Sequence, residues 1–234
     1  YYGDITGGIT RCNRAIIELG GEDVPIVAPV RAVRAYYLWV LMDSYGDVPI
    51  LNRLLEEDEA MDRSPRAEVA RYIESELLAV LDDLPTNVDP STYGKPTRYM
   101  AEALLAKLYL NWAVYTSADV ATYTPSMSND KLNDVVAMCD AIIESGKFDL
   151  SDPYLSKFYP ENGPHIKDFI YAMPYDRETQ HGMTYSRFWT HRTANNDFYG
   201  VNLPNSVGGN MVYNADFVDK FSLEGDVRNE TILK

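Results

Sequence analysis

Cysteine and histidine are scarce in this chain, with two of the first and three of the second among 234 residues. Cys12 and Cys139 are too few for a disulfide-dense scaffold and lack the short spacing of a zinc or redox motif. Both fall on apolar faces of helical patterns, which predicts small buried core residues rather than a bridge. His165, His181 and His191 are never one helical turn apart and have no neighbouring cysteine, so no metal site and no cofactor are expected. The G-x-S-x-G elbow, the G-x-x-x-x-G-K-[ST] loop and the G-x-G-x-x-G turn are all missing. Acyl transfer, nucleotide hydrolysis and dinucleotide binding therefore have no positive support.

Long apolar runs are lacking too. The run through Tyr36 to Met42 is far short of the roughly 20 residues that cross a bilayer. The sequence opens at Tyr1-Tyr2-Gly3, so any export signal is expected to have been removed or to lie outside it. Basic charge is in deficit: 21 Lys and Arg stand against 35 Asp and Glu, a net charge of −14. That field repels phosphate backbones, and nucleic acid is not expected as a partner. The surplus of acids also makes a glycosidase-type carboxylate pair uninformative here, because such a pair is always on offer.

What is present is helical periodicity. Ile5, Ile9, Cys12, Ile16 and Leu19 recur at three- and four-residue steps, ended by Gly20-Gly21. A second helix is predicted from Pro29 to about Tyr45, stopped by Gly46 and Pro49. Ser64 is expected to cap a third, opened by Pro65, with Val69, Ile73, Leu77 and Leu81 as its stripe. Thr97 is expected to cap a fourth, "RYMAEALLAKLYLNWAVYT". A fifth runs from near Asp130 to Ser145, with Leu132, Val135, Val136, Cys139, Ile142 and Ile143 expected inward and Gly146 closing it. Similar lengths and short connections favour a bundle or a stack of helical hairpins, an all-α-dominated fold. The second helix is apolar almost all round, so Tyr36, Tyr37 and Trp39 are expected as core aromatics rather than ligand rings. Arg31 and Arg34 sit near its positive N-terminal end, and one of them is predicted to make a partly buried ion pair.

From Lys147 the pattern changes, with Pro and Gly punctuating only short periodic segments. The expected organisation is a helical scaffold over 1–146 and an irregular lobe over 147–234. "DFIYAMPY" reads as a short strand and "NADFVDKF" as a short helix capped by Asn214. Between them, Tyr175 to Gly200 mixes rings with Arg and Asn. Such rings stack on sugar faces or on peptide groups, while Arg and Asn hydrogen-bond hydroxyls or carbonyls; alternatively the rings anchor a long loop.

"RAVRAYYLWVLMDSYGDVPIL" resembles the strongest signature of the SusD/RagB family of Bacteroidetes outer-membrane nutrient-binding lipoproteins. "YYGDITGGITRCNRAIIEL" is similar to that family's helix with an Ile-x-x-x-Asn pattern, "RSPRAEVARYIESELLAVLDDLP" to its Arg-led helix ending in Leu-Pro, and "GKPTRYMAEALLAKLYLNWA" to its Gly-x-x-Thr helix. "DFIYAMPYD" and "FSLEGDVRNETIL" match in the same order, so the likeness spans the chain. Family members are considerably longer, and this chain resembles an internal portion. The resemblance implies degenerate tetratricopeptide-like hairpins with an irregular loop-rich lobe containing short strands. It implies no catalysis. Instead it implies capture of glycan, or in some members peptide, and delivery to a SusC-like TonB-dependent transporter. It places the protein on the outer face of the outer membrane, held by a lipid anchor outside this sequence. Its location for ligand contacts picks out Tyr185, Trp189 and Tyr199 for stacking and Arg187, Asn195 and Asn196 for hydrogen bonds. The readings outside the family are a helical-repeat scaffold that binds only protein, and a glycoside hydrolase.

Overall fold

A computed structural model describes residues 1–118, 128–176, 178–182 and 213–231. The chain divides into two units, one of Tyr1–Ser151 with Pro164–Ala172 and one of Asp152–Gly163 with Met173–Lys234. The first is helical: α1 Tyr2–Glu18, α2 Ala28–Tyr45, α3 Arg66–Val80, α4 Arg98–Leu110, α5 Trp112–Thr116 and α6 Leu132–Glu144. Helix α1 packs on α2, α2 on α3, and α4 on α6. The core between them is built from Ile9, Ala32, Leu38, Leu41, Ile73, Leu77, Leu105 and Leu108, spaced as the sequence periodicity demands.

Two backbone positions explain how α1 to α3 fit. Gly8 lies where α1 crosses α2, and a Cβ there would stand 2.8 Å from Cζ of Tyr37, so the helices approach only without a side chain. Gly46 ends α2 at φ 76°, a conformation that suits glycine, with its N–H donating 2.8 Å to Met42 O. The next residue, Asp47, accepts from the backbone N–H of Arg66 at 2.8 Å and so caps α3 from outside. Ser64, expected in that role, has no cap bond; its N–H donates instead to Val48 O at 3.0 Å, within an isolated antiparallel bridge. Thr97 stands at the start of α4, but its hydroxyl does not cap the helix either.

The fourth helical pattern breaks at Asn111 into α4 and α5, because Asn111 Nδ2 donates back to Lys107 O at 3.3 Å and competes with the helix ladder. Asn129 Nδ2 donates to the last carbonyls of α4, Tyr109 O at 2.8 Å and Leu110 O at 3.1 Å, near the helix end where carbonyls run short of helical partners. In α6 four of the six residues expected inward turn out to face solvent. Val135, Met138 and Ile142 pack inward, whereas Leu132, Val136, Cys139 and Ile143 are exposed, Ile143 to 71%. The helix is apolar on two sides and α4 covers one of them. Cys12 is buried as expected, and both thiols are free.

The strand expected over 168–175 does not form. Among the described residues this segment finds no partner strand, and its ring Tyr171 packs on Tyr36 of α2, centroids 6.5 Å apart. In the second unit, Asn214 Oδ1 accepts from Phe217 N at 3.0 Å and caps the short helix Ala215–Val218 as its sequence predicts. Tyr213 stacks on Phe217 with centroids 5.1 Å apart, and Phe221 meets Phe217 edge-on at 5.3 Å.

Candidate functional site

The six residues singled out for ligand contact, Tyr185, Arg187, Trp189, Asn195, Asn196 and Tyr199, lie outside the described residues. Within the helical unit, the segment 164–172 packs beside α2 and α4 and leaves a hollow of about 330 Å³. This is in the lower part of the ~300–1,000 Å³ range of small-molecule sites. Tyr36, Phe169 and Tyr171 supply its rings, Met100 and Leu104 its apolar floor, and Lys107 and Asp168 its charged groups. Tyr36 also meets Tyr37 and Trp39, at 6.2 and 6.1 Å between centroids. These α2 rings are packed against the core but only partly buried, so one side of the helix does reach the surface. Sequence reasoning assigned Tyr36 wholly to the core and missed the hollow. The alternation of Phe169 and Tyr171 in "DFIYAMPY" was the available signal, read there as a strand.

The helix that carries Tyr36 is fixed from below by a buried ionic network. Arg34, 1% exposed, donates from Nη2 to Glu76 Oε2 at 2.6 Å and pairs with Glu22 Oε1 at 2.7 Å. Its Nη1 donates to Asn13 Oδ1 at 2.9 Å and to Asn52 O at 3.2 Å. Arg31 grips the same carboxylate with Nε at 3.3 Å and Nη2 at 2.7 Å, a two-point contact. Asn13 Nδ2 then reaches Arg53 O at 2.8 Å, so one network ties α1, α2, α3 and the loop after α2 together. Burial pushes the Glu76 carboxyl up, but hydrogen bonds from Arg31 and Arg34 outweigh it and hold the group below its ordinary range. Burial pushes the Tyr72 phenol up to about 12, so it remains a neutral acceptor for Arg34 Nη2 at 3.4 Å. The predicted partly buried ion pair is thus present for both arginines, and the motif residues Asn13, Arg31 and Arg34 are joined in one structural cluster.

A second set of contacts secures α5 and α6. Tyr115 donates its hydroxyl to Asp43 Oδ1 at 2.6 Å. Lys131 pairs with Glu74 at 2.7 Å while lying 4.8 Å above the Tyr109 ring and 5.4 Å above Trp112.

Residues 30–110 match the SusD-like family described as "Starch-binding associating with outer membrane". No curated protein matches. Among solved structures, a SusD superfamily protein from Parabacteroides distasonis is 23% identical with a TM-score of 0.73, covering 97% of this chain and 46% of its own. A structure solved with a xylogluco-oligosaccharide is 17% identical with a TM-score of 0.75, covering 95% of this chain and 44% of its own. A SusD-like carbohydrate-binding protein from Bacteroides fragilis is 19% identical with a TM-score of 0.59, covering 71% and 31%. The chain therefore spans between about a third and just under half the length of these proteins. The resemblance read from the sequence is borne out: residues 30–110 match the SusD-like family model, and the chain is similar in its helical fold to solved SusD-superfamily proteins.

Proposed function

We propose that this protein captures glycan at the outer face of the outer membrane, without acting on it chemically, and delivers it to a TonB-dependent transporter. The observation that carries the reading is the match of residues 30–110 to a family described as starch-binding and associated with the outer membrane. Two further observations support it. A structural neighbour of the same fold was solved with a xylogluco-oligosaccharide, and the hollow beside α2 has the ring-rich, sparsely polar lining that sugar faces favour.

In this reading the helices of 1–146 are the scaffold and 147–234 supplies most ligand contacts. Tyr185, Trp189 and Tyr199 stack on sugar rings, and Arg187, Asn195 and Asn196 hydrogen-bond the hydroxyls. A lipid anchor outside this sequence holds the protein at the membrane. A panel of immobilised neutral polysaccharides tests the proposal. Retention on at least one of them, weakened about tenfold or more by Trp189→Ala and without release of soluble sugar, is the expected result. Sugar release points to a hydrolase, retention on peptide alone to peptide capture, and retention on neither to a protein-binding scaffold.

A further inference from the structure

Asn162 is the one asparagine of the chain that glycine follows. The pairing matters because the side-chain amide carbon of an asparagine lies within reach of the next backbone nitrogen, and glycine alone brings no Cβ to hinder that approach. Burial or a regular helix ordinarily keeps the two apart. Asn13, for instance, is 3% exposed inside α1 and the ionic network.

Asn162 has neither protection. It is exposed and lies outside every helix, between the short 3₁₀ helix Tyr154–Phe158 and Pro164. Its backbone N–H closes a turn on Tyr159 O at 3.0 Å, and its side-chain Nδ2 donates to Lys157 O at 2.5 Å. Gly163 is buried, yet its N–H donates no hydrogen bond among the described residues. The amide proton that must leave before this nitrogen can attack is therefore held by no acceptor.

We propose that Asn162 is a site of spontaneous deamidation, and that its conversion loosens the turn it closes. The Gly163 nitrogen loses its proton to solvent base and bonds to Cγ of Asn162, the Cγ–Nδ2 bond breaks, and the nitrogen takes up a proton and leaves as ammonia. Water then adds to either carbonyl of the cyclic imide and reopens the ring, which gives an aspartate on the original backbone or an isoaspartate whose backbone runs through the former side chain. Water is the only co-reactant, and nothing is oxidised or reduced.

The product exchanges a donor for an acceptor. A carboxylate cannot donate to Lys157 O and meets that carbonyl with like charge, so the bond that ties Asn162 to the 3₁₀ helix is lost. Isoaspartate also adds a methylene to the backbone one residue before the chain leaves the unit segment Asp152–Gly163. Each event adds a negative charge to a chain already at −14.

Peptide mass mapping of the purified chain, aged in mildly alkaline buffer with and without urea, tests the assignment. In the native chain Asn162 should convert ahead of every other asparagine, with ammonia released in step and isoaspartate among the products. Its native rate should lie within about tenfold of the rate in urea, the gap expected where little structure has to open first. Gly163→Ala should slow the conversion at least about tenfold by hindering the attack, and Asn162→Gln, which keeps a side-chain amide, should abolish it. Trypsin should cut after Lys157 faster in the aged chain and in Asn162→Asp than in the fresh parent. An Asn162 that stays intact in the native chain while it converts in urea overturns the site, as does conversion led by another asparagine or indifferent to Gly163→Ala. Equal trypsin cleavage of the fresh chain, the aged chain and Asn162→Asp overturns the loosening.

Discussion

Arg34 and Glu76 meet at 2.6 Å inside the core, 42 residues apart in sequence, with Arg31 closing on the same carboxylate from α2. Removing one partner of such a pair leaves a buried charge uncompensated, at a cost of about 3–5 kcal/mol. Glu76→Gln is therefore expected to lower the urea midpoint strongly, while a joint Arg34→Met and Glu76→Leu change costs clearly less, because no buried charge is stranded. Equal losses for the two variants in urea titrations would count against this account of the network.

The same pair sets an acid limit. The Glu76 carboxyl is held below its ordinary range by Arg31 and Arg34 despite its burial, while in the unfolded chain it titrates near the usual ~4.3. The unfolded state then takes up the proton first. The stabilisation is complete above about pH 5 and fades as pH falls through the lowered native value. The stability gap between the parent chain and Glu76→Gln should shrink steadily when chemical denaturation is repeated from pH 6 down to pH 3. A gap that stays constant over that range would show that folding does not lower the carboxyl's pKa, and a gap that widens would show that the group is neutral in the fold.

Asp47 offers a milder test of how the Tyr-Gly-Asp-Val-Pro turn works. Its Oδ1 accepts from the N–H of Arg66 and caps α3. Asp47→Ala should cost about 1 kcal/mol, as cap losses do, and Asp47→Asn distinctly less. Thermal melts of the three proteins decide it, and an Asn variant as poor as the Ala variant would argue against capping.

Thiol accessibility checks the placement of α1 and α6. Cys12 is buried, and burial pushes its thiol up against the opposing pull of Arg34 and Arg11; Cys139 is exposed. Ellman's reagent should titrate one thiol in the native protein at pH 8 and two in denaturant. Cys139→Ser should abolish the fast reaction; a fast reaction surviving that change would come from Cys12 and contradict its burial by α1, and the absence of any fast reaction in the parent chain would mean that α6 is turned the other way.

The helices were legible because their information is local. Periodicity with Gly and Pro punctuation placed α1, α2 and α3 and found the end of α2 at Gly46, and the position of Arg31 and Arg34 demanded buried partners. The identity of those partners was not legible, since nothing local links Arg34 to Asn13 or Glu76. Caps failed for a related reason. Ser64 and Thr97 have favoured cap chemistry, but Asp47, distant in sequence, reaches α3 first, and the Thr97 hydroxyl is turned to no partner. Helix α6 showed the limit of periodicity itself, for a helix apolar on two sides does not reveal which one its neighbour covers. The ring-lined hollow escaped because Phe169 and Tyr171 alternate as a strand would, while the packing of Tyr171 on Tyr36 of α2 is a tertiary choice. Of the predicted contact residues, the sequence supplied composition and family location only.

The central claim is glycan capture by a ring-lined surface, and direct titration with neutral oligosaccharides tests it most closely. The account predicts that one or more such oligosaccharides bind the chain with a measurable heat, that Trp189→Ala together with Tyr199→Ala reduces the affinity by at least about tenfold, and that the sugar is recovered intact. Heat from peptides alone, or an oligosaccharide affinity unaltered by loss of both rings, would contradict it.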